Sequence, residues 1–158
     1  MENAALQKFI YGMFILTARE GEQDNGCIVN TAMQVSSKPN RIAVCMYKGN
    51  LTHDMVARTG QFNLCALTPA ADPELCRRFG SRSGRTVDKF EGVRGLERSE
   101  NGLFLLTEGT NMALSAKVTE QVDLDDHTLF IALVTEGRVF SEASTCSFED
   151  YLALLKKK

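Results

Sequence analysis

The sequence predicts a mainly β chain whose short strands close on themselves into a barrel, with a few helices outside it. Three observations carry that expectation. Apolar and β-branched runs of strand length recur from residue 11 to residue 140, parted by turns such as Lys48-Gly49-Asn50 and Glu108-Gly109-Thr110-Asn111. Between residues 112 and 119 the side chains alternate: Ala113, Ser115, Lys117 and Thr119 face one way and Leu114, Ala116 and Val118 the other, as in a half-buried antiparallel strand. Only a few segments carry helix start signals. With 158 residues, 44% hydrophobic and 24% charged, the chain reads as one domain over 1–158 that buries a core without staples.

Taken in order, residues 3–8 read as a short helix with Asn3 as its cap. Residues 11–18 form an apolar strand and 20–26 its polar turn, where Asn25-Gly26 is a hairpin signal. The next run starts with Cys27, Ile28 and Val29, turns polar through Asn30, Thr31, Gln34, Ser36 and Ser37, and is broken by Lys38-Pro39. Residues 41–47 are a further strand, and the turn at 48–50 leads into a helix from Thr52 to Arg58, ended by Gly60. After a strand at 61–67, residues 72–79 read as a helix with Pro73 at its first position. A polar loop at 81–89 brings Arg82, Arg85 and Lys89 close together. Strands are expected at 103–107, 112–123 and 129–140. The final helix carries a capping box, Ser147 with Asp150, and an apolar stripe of Phe148, Tyr151, Leu152 and Leu155.

Composition excludes several function classes. A net charge of −2 offers no basic footprint for nucleic acid. Five cysteines, an odd number with no C-x-x-C pair, argue against a disulfide framework and against zinc or rubredoxin-type iron sites, and fit a reducing cytoplasm. The apolar run at 9–16 is too short to span a bilayer and is followed by Ala18-Arg19-Glu20-Gly21-Glu22 rather than a cleavage site, so no membrane association is expected. With two histidines, His53 and His127, and no G-x-S-x-G elbow, hydrolysis by a triad is set aside.

Residue patterns also suggest where a ligand would sit. Polar side chains at a strand end, followed by a turn, a hydroxyl and a helix start, suit a polar ring and a phosphate, because first-turn N–H groups point outward unpaired. The relevant segments are NGxIxNTxxQVSSxP at 25–39, RIAVC at 41–45, NLTH at 50–53, FGxxSGRxVDKF at 79–90 and DHTLFIA at 126–132. Together they resemble the flavin reductase-like family with the FMN-binding split-barrel fold, a Greek-key split barrel. The likeness is strongest to its NAD(P)H-oxidising flavodomains, some fused to rubredoxin, and to flavoredoxin and ferric reductase-type proteins.

The resemblance implies FMN as cofactor and NAD(P)H as electron donor. It assigns Asn30, Thr31, Gln34, Val35, Ser36 and Ser37 to the edge along the isoalloxazine ring. Lys48, Asn50, Thr52 and His53 fall at the turn and helix start, and Ser83, Arg85 and Lys89 in the phosphate loop, where a guanidinium grips bidentately and a lysine acts as a point charge. His127 and Cys45 are its candidates for the catalytic face. Each also has a plainer reading: surface polar residues, a helix cap, a solvated basic loop, a turn histidine and a packed thiol. The sequence departs from the family at Asn40, where a second proline is common, and at Asp125, where glycine precedes the Asp-His pair.

The expected function is therefore an FMN-dependent oxidoreductase, a homodimer passing electrons from NAD(P)H to free flavin, a rubredoxin-like protein, a ferric chelate or oxygen. A non-catalytic FMN-binding electron carrier or flavin sensor is the alternative. A third reading is an interaction protein with an empty barrel.

Overall fold

A computed structural model describes residues 1–158. A short 3-10 helix (Asn3–Lys8) precedes strands β1 (Phe14–Glu20), β2 (Gln23–Val29), β3 (Ala32–Ser37) and β4 (Asn40–Tyr47). Helix α1 (Leu51–Thr59), β5 (Gln61–Leu67) and α2 (Pro73–Ser81) follow. Then come β6 (Leu96–Arg98), β7 (Phe104–Leu106), β8 (Thr110–Leu124), β9 (His127–Val139) and α3 (Phe148–Leu155).

Seven strands form one antiparallel sheet in the order β2-β1-β5-β8-β9-β4-β3. Its two ends, β2 and β3, are consecutive in the chain and are joined by Asn30 and Thr31, yet they do not pair with each other. The barrel is thus split at one seam. Long strands β8 and β9 hold register from Met112 opposite Val139 to Leu124 opposite His127, with two bulges that bend the sheet.

Two cores follow from strand alternation. Leu16, Val44, Met46, Phe62, Leu64 and Phe130 point into the barrel, where α1 adds Met55 and Val56. Ile15, Cys65 and Leu67 point the other way, under Phe79 of α2 and Tyr151 and Leu154 of α3. Phe62 and Phe130 are fully buried, and each such side chain contributes about 1.5–3 kcal/mol.

The helices are capped as their sequences direct. Asp72 accepts from Glu74 N at 2.9 Å before Pro73. The reciprocal Ser147 and Asp150 bonds of α3 are 3.1 and 3.0 Å long. Gly60 ends α1 at φ +71°, a conformation that disfavours any side chain. Of the α3 stripe, Tyr151 is buried with Leu154, while Phe148 and Leu152 remain exposed.

Several expectations are corrected. Asn25-Gly26 is not a turn but lies inside β2; the hairpin turns at Gly21-Glu22, with Gly21 at φ +62°. Gly26 is required by packing, since a Cβ there would lie 2.9 Å from both Leu16 O and the Phe79 ring. The cap of the first helix is Glu2 rather than Asn3, with no side-chain hydrogen bond. The first strand begins at Phe14, because Gly12 instead bridges to Ser147. Residues 104–106 do not join the barrel; they pair with β6, which carries no apolar run of its own. That small sheet is pinned by buried Asn63, whose Nδ2 donates to Ser99 Oγ at 2.8 Å and Phe104 O at 3.0 Å.

Gly26→Ala is expected to destabilise the chain by about 1–3 kcal/mol through overpacking. The check is urea unfolding, where the midpoint falls while the slope is unchanged.

Candidate functional site

Strand β2 on one side of the seam, the start of α1, the end of α2 and the 81–89 loop converge on one cavity of about 190 Å³. Asn50, Thr52, Ser83 and Lys89, all singled out in the sequence, line it, together with Asn25 and Gly84. Helix α1 begins there because the turn after β4 delivers Asn50 in an extended conformation at the N-cap. Its side chain makes no cap hydrogen bond, so the first-turn N–H groups have neither an intrahelical partner nor that cap.

Lys89 gives the cavity its charge. It is 5% exposed, and its Nζ donates to Gly26 O at 2.8 Å and, at 3.5 Å, to Phe79 O. None of the ion pairs in the chain includes it. Burial pulls its pKa below the ordinary 10.5. A buried cation without a counter-ion is costly, and an anion seated beside it removes that cost. The opposing thiol of Cys27 stays neutral, as burial pushes it up to about 11.

Arg85 is placed differently from Lys89. Its guanidinium donates to Asp54 Oδ2 at 2.9 Å, on the outside of α1, and it does not line the cavity. The pair clips the 81–89 loop to α1. The nearby Arg82 does line the cavity and also reaches Glu74 Oε1 at 3.3 Å. Within the loop, Ser83 Oγ accepts from Arg85 N at 3.1 Å and Asp88 Oδ1 from Phe90 N at 2.9 Å. His53 is turned inward, with Nε2 2.7 Å from Thr128 Oγ1 and Nδ1 3.0 Å from Asp54 Oδ1, so it ties α1 to β9. That contact with His53, and then Arg85, holds the Asp54 carboxyl below its ordinary value.

The remaining candidates lie on β3 and on the outer face of β4 and β9. Asn30 and Thr31 form the corner at the seam, where Thr31 Oγ1 donates to Asn30 Oδ1 at 3.1 Å and Thr31 O accepts from Cys45 N. Strand β3 is one of the sheet's two free edges, with Val35 exposed. Gln34 and Ser36 bond inside the hairpin, to Ser36 O and Pro39 O, and Ser37 pairs with Asn40 at its tip. Cys45 lies opposite Leu129, and Tyr47 opposite His127. Burial, aided by the Asp126 charge, raises the Cys45 thiol pKa. His127 Nδ1 is 2.9 Å from Asp126 Oδ1, at a hairpin where Asp125 takes φ +64°, the conformation that glycine would supply. Lys48 pairs with Asp123 at 2.5 Å and stays outside the cavity lining.

Sequence reasoning missed Asn25 as a lining residue, because Asn-Gly was read as a turn. Its spacing of two from Cys27 within one strand was the available signal.

These features define a mainly β split barrel with an anion-suited cavity at its seam. Residues 6–152 match the model of the flavin reductase like domain, and the chain belongs to that family. Two relatives agree. A high molecular weight rubredoxin of Moorella thermoacetica is 35% identical over 151 residues, covering 96% of this chain and 66% of that protein. A ferric-chelate reductase (NAD(P)H) of Archaeoglobus fulgidus is 34% identical over 158 residues, 100% of this chain and 93% of the relative. Among solved structures, the styrene monooxygenase flavin reductase of Pseudomonas putida S12 superposes with TM-score 0.78 at 23% identity, covering 94% of this chain and 92% of that one. An FMN-binding protein from Thermus thermophilus gives TM-score 0.75 at 23% identity, over 84% of this chain and 73% of its own. The last two likenesses bear on the fold. No helix is long and apolar enough to cross a membrane.

The Asp54 clip sets a pH dependence. A carboxyl with a lowered folded pKa stabilises fully above its ordinary 3.8, and that contribution is lost as pH falls through the folded value. Asp54→Asn is expected to flatten this part of the acid limb below about pH 4. At neutral pH it also speeds tryptic cleavage after Arg82 and Arg85, read by mass spectrometry.

Proposed function

We propose that the chain is an FMN-dependent oxidoreductase that takes electrons from NAD(P)H and passes them to an acceptor. The observation that carries this is the uncompensated Lys89 ammonium beside the open start of α1 in a family that handles flavin. The residues fit the group: a buried cation, first-turn amides, the Thr52 and Ser83 hydroxyls and a glycine that lets the loop close all suit a phosphate monoester. When bound, the flavin accepts hydride from the nicotinamide and passes electrons onward.

The chain's own residues bind and orient. Lys89, Thr52, Asn50 and Ser83 hold the phosphate, and Arg82 adds a cation at the rim. The Arg85–Asp54 clip keeps the loop in place rather than touching the ligand. The Asn30-Thr31 corner and the free edge of β3 through Ser37 offer polar side chains and unpaired backbone groups to the ring's polar edge, with Val35 supplying apolar cover. On the adjoining outer face, neutral Cys45 packs, and His127 beside Asp126 is positioned to hand a proton to the acceptor side.

That face also supports a homodimer. Met33, Tyr47, Val122 and Leu124 are exposed on neighbouring strands, a patch that a second copy would cover. Free flavin, a rubredoxin-like protein, a ferric chelate and oxygen are the acceptors this reading admits. The names of the two relatives support the redox-protein and ferric choices. Five free cysteines suit a reducing cytoplasm.

Anaerobic titration of the FMN-loaded protein with NADH and NADPH tests the activity. Flavin absorbance bleaching at catalytic rates is expected with at least one donor; a spectrum that never bleaches makes the chain a carrier or sensor instead. Lys89→Met is expected to weaken FMN binding by about 10- to 100-fold, the worth of one charge-assisted hydrogen bond, as read by fluorescence quenching. In the parent chain, FMN affinity falls as pH rises through the lowered Lys89 pKa, because the bound anion needs the protonated amine. The Lys89→Met variant lacks that component.

A further inference from the structure

We infer that Asn25 determines the ligand specificity of the cavity: its neutral amide oxygen accepts a hydrogen bond from a hydroxyl of the ligand's polyol chain while leaving the Lys89 charge to the ligand's phosphate. This rests on the flavin reading above and extends it to a residue outside the phosphate loop and outside α1.

Asn25 is 1% exposed in β2 and lines the cavity. Its Nδ2 donates to Thr52 Oγ1 at 3.0 Å, while its Oδ1 is buried with no hydrogen-bond partner. The next residue, Gly26, supplies the carbonyl that holds Lys89. Two residues that line the same small space thus carry unmet demands: an acceptor without a donor, buried against Gly84, and a cation without an anion. The loop leaves room for the amide only because residue 84 is glycine, where a Cβ would lie 2.1 Å from Asn25 Oδ1.

A phosphorylated polyol meets both demands, with a hydroxyl proton for the amide oxygen and a phosphate for the ammonium. Aspartate would have the same shape, but its carboxylate would supply Lys89 with a permanent counter-ion and repel an incoming phosphate. Asparagine keeps the acceptor and leaves out the charge.

The test compares Kd for FMN and riboflavin, by fluorescence quenching, in the full chain and in Asn25→Ser and Asn25→Asp. The shift in melting temperature with inorganic phosphate is measured on each protein without flavin. The parent chain is expected to prefer FMN by about tenfold or more. Asn25→Ser binds both flavins more weakly yet keeps that preference within about threefold. Asn25→Asp loses about tenfold or more of the preference, through FMN alone, and is no longer stabilised by phosphate. An Asn25→Asp protein that still prefers FMN as the parent does overturns the inference. So does an Asn25→Ser protein that loses the preference, since the amide N–H would then hold the phosphate itself; should Asn25→Asp not fold, this variant decides. A parent chain that takes up neither flavin but is stabilised by phosphate in an Asn25-dependent way refutes the flavin reading and keeps Asn25's role at an anion site. Stabilisation by neither flavin nor phosphate overturns both.

Discussion

The ammonium of Lys89 ties β2, which is distant in sequence, to α2 and the loop that follows it. It donates to carbonyls of β2 and α2 while belonging to the loop that follows α2. Desolvating a charge without a counter-ion is unfavourable, and the fold bears that cost next to the first turn of α1, where partial positive charge accumulates as well. Positive groups are thus gathered in one cavity without an anionic side chain paired to Lys89. Strand β2, the loop and the helix start together bound a cavity of about 190 Å³.

The split between β2 and β3 follows from the sheet order. A closed barrel would use every edge, whereas this one ends on two consecutive strands joined by a two-residue corner. The corner holds Asn30 and Thr31, and α1 fills the barrel end beside it with Met55 and Val56. His53 fixes the helix from the other side through Thr128, so the position of α1 is set by β9 as much as by its own cap. The long hairpin β8–β9 then brings His127 against Tyr47, at the end of β4 that feeds the α1 turn.

Electrostatics divides the candidate cations by role. Lys89 is buried and uncompensated, while Arg85 and Lys48 are exposed and paired with Asp54 and Asp123. Exposed pairs of this kind contribute little to stability; they set the position of a loop and of a hairpin. The thiols are all unpaired, and burial keeps Cys65 at about 12 and Cys76 and Cys146 at about 11, so they pack as small apolar groups.

The sequence by itself determined the strand-rich class, the helix start at Pro73, the capping box at Ser147, the stop at Gly60 and the segments that identify the family. These are local signals, written in hydrophobic period, Gly and Pro placement and short motifs. It also marked Asn50, Thr52, Ser83 and Lys89, which the fold brings to one cavity. Tertiary structure alone decided that Asn25-Gly26 lies within a strand, because the reason is the proximity of Leu16 and Phe79 rather than turn chemistry. It alone separated Lys89 from Arg85, two cations four residues apart that sequence cannot rank, since burial and the reach of Asp54 depend on where α1 packs. Strand β7 was legible as the apolar run at 103–107, but its partner β6 was not: Leu96–Arg98 has no apolar run, and the pair is tied across the fold by Asn63.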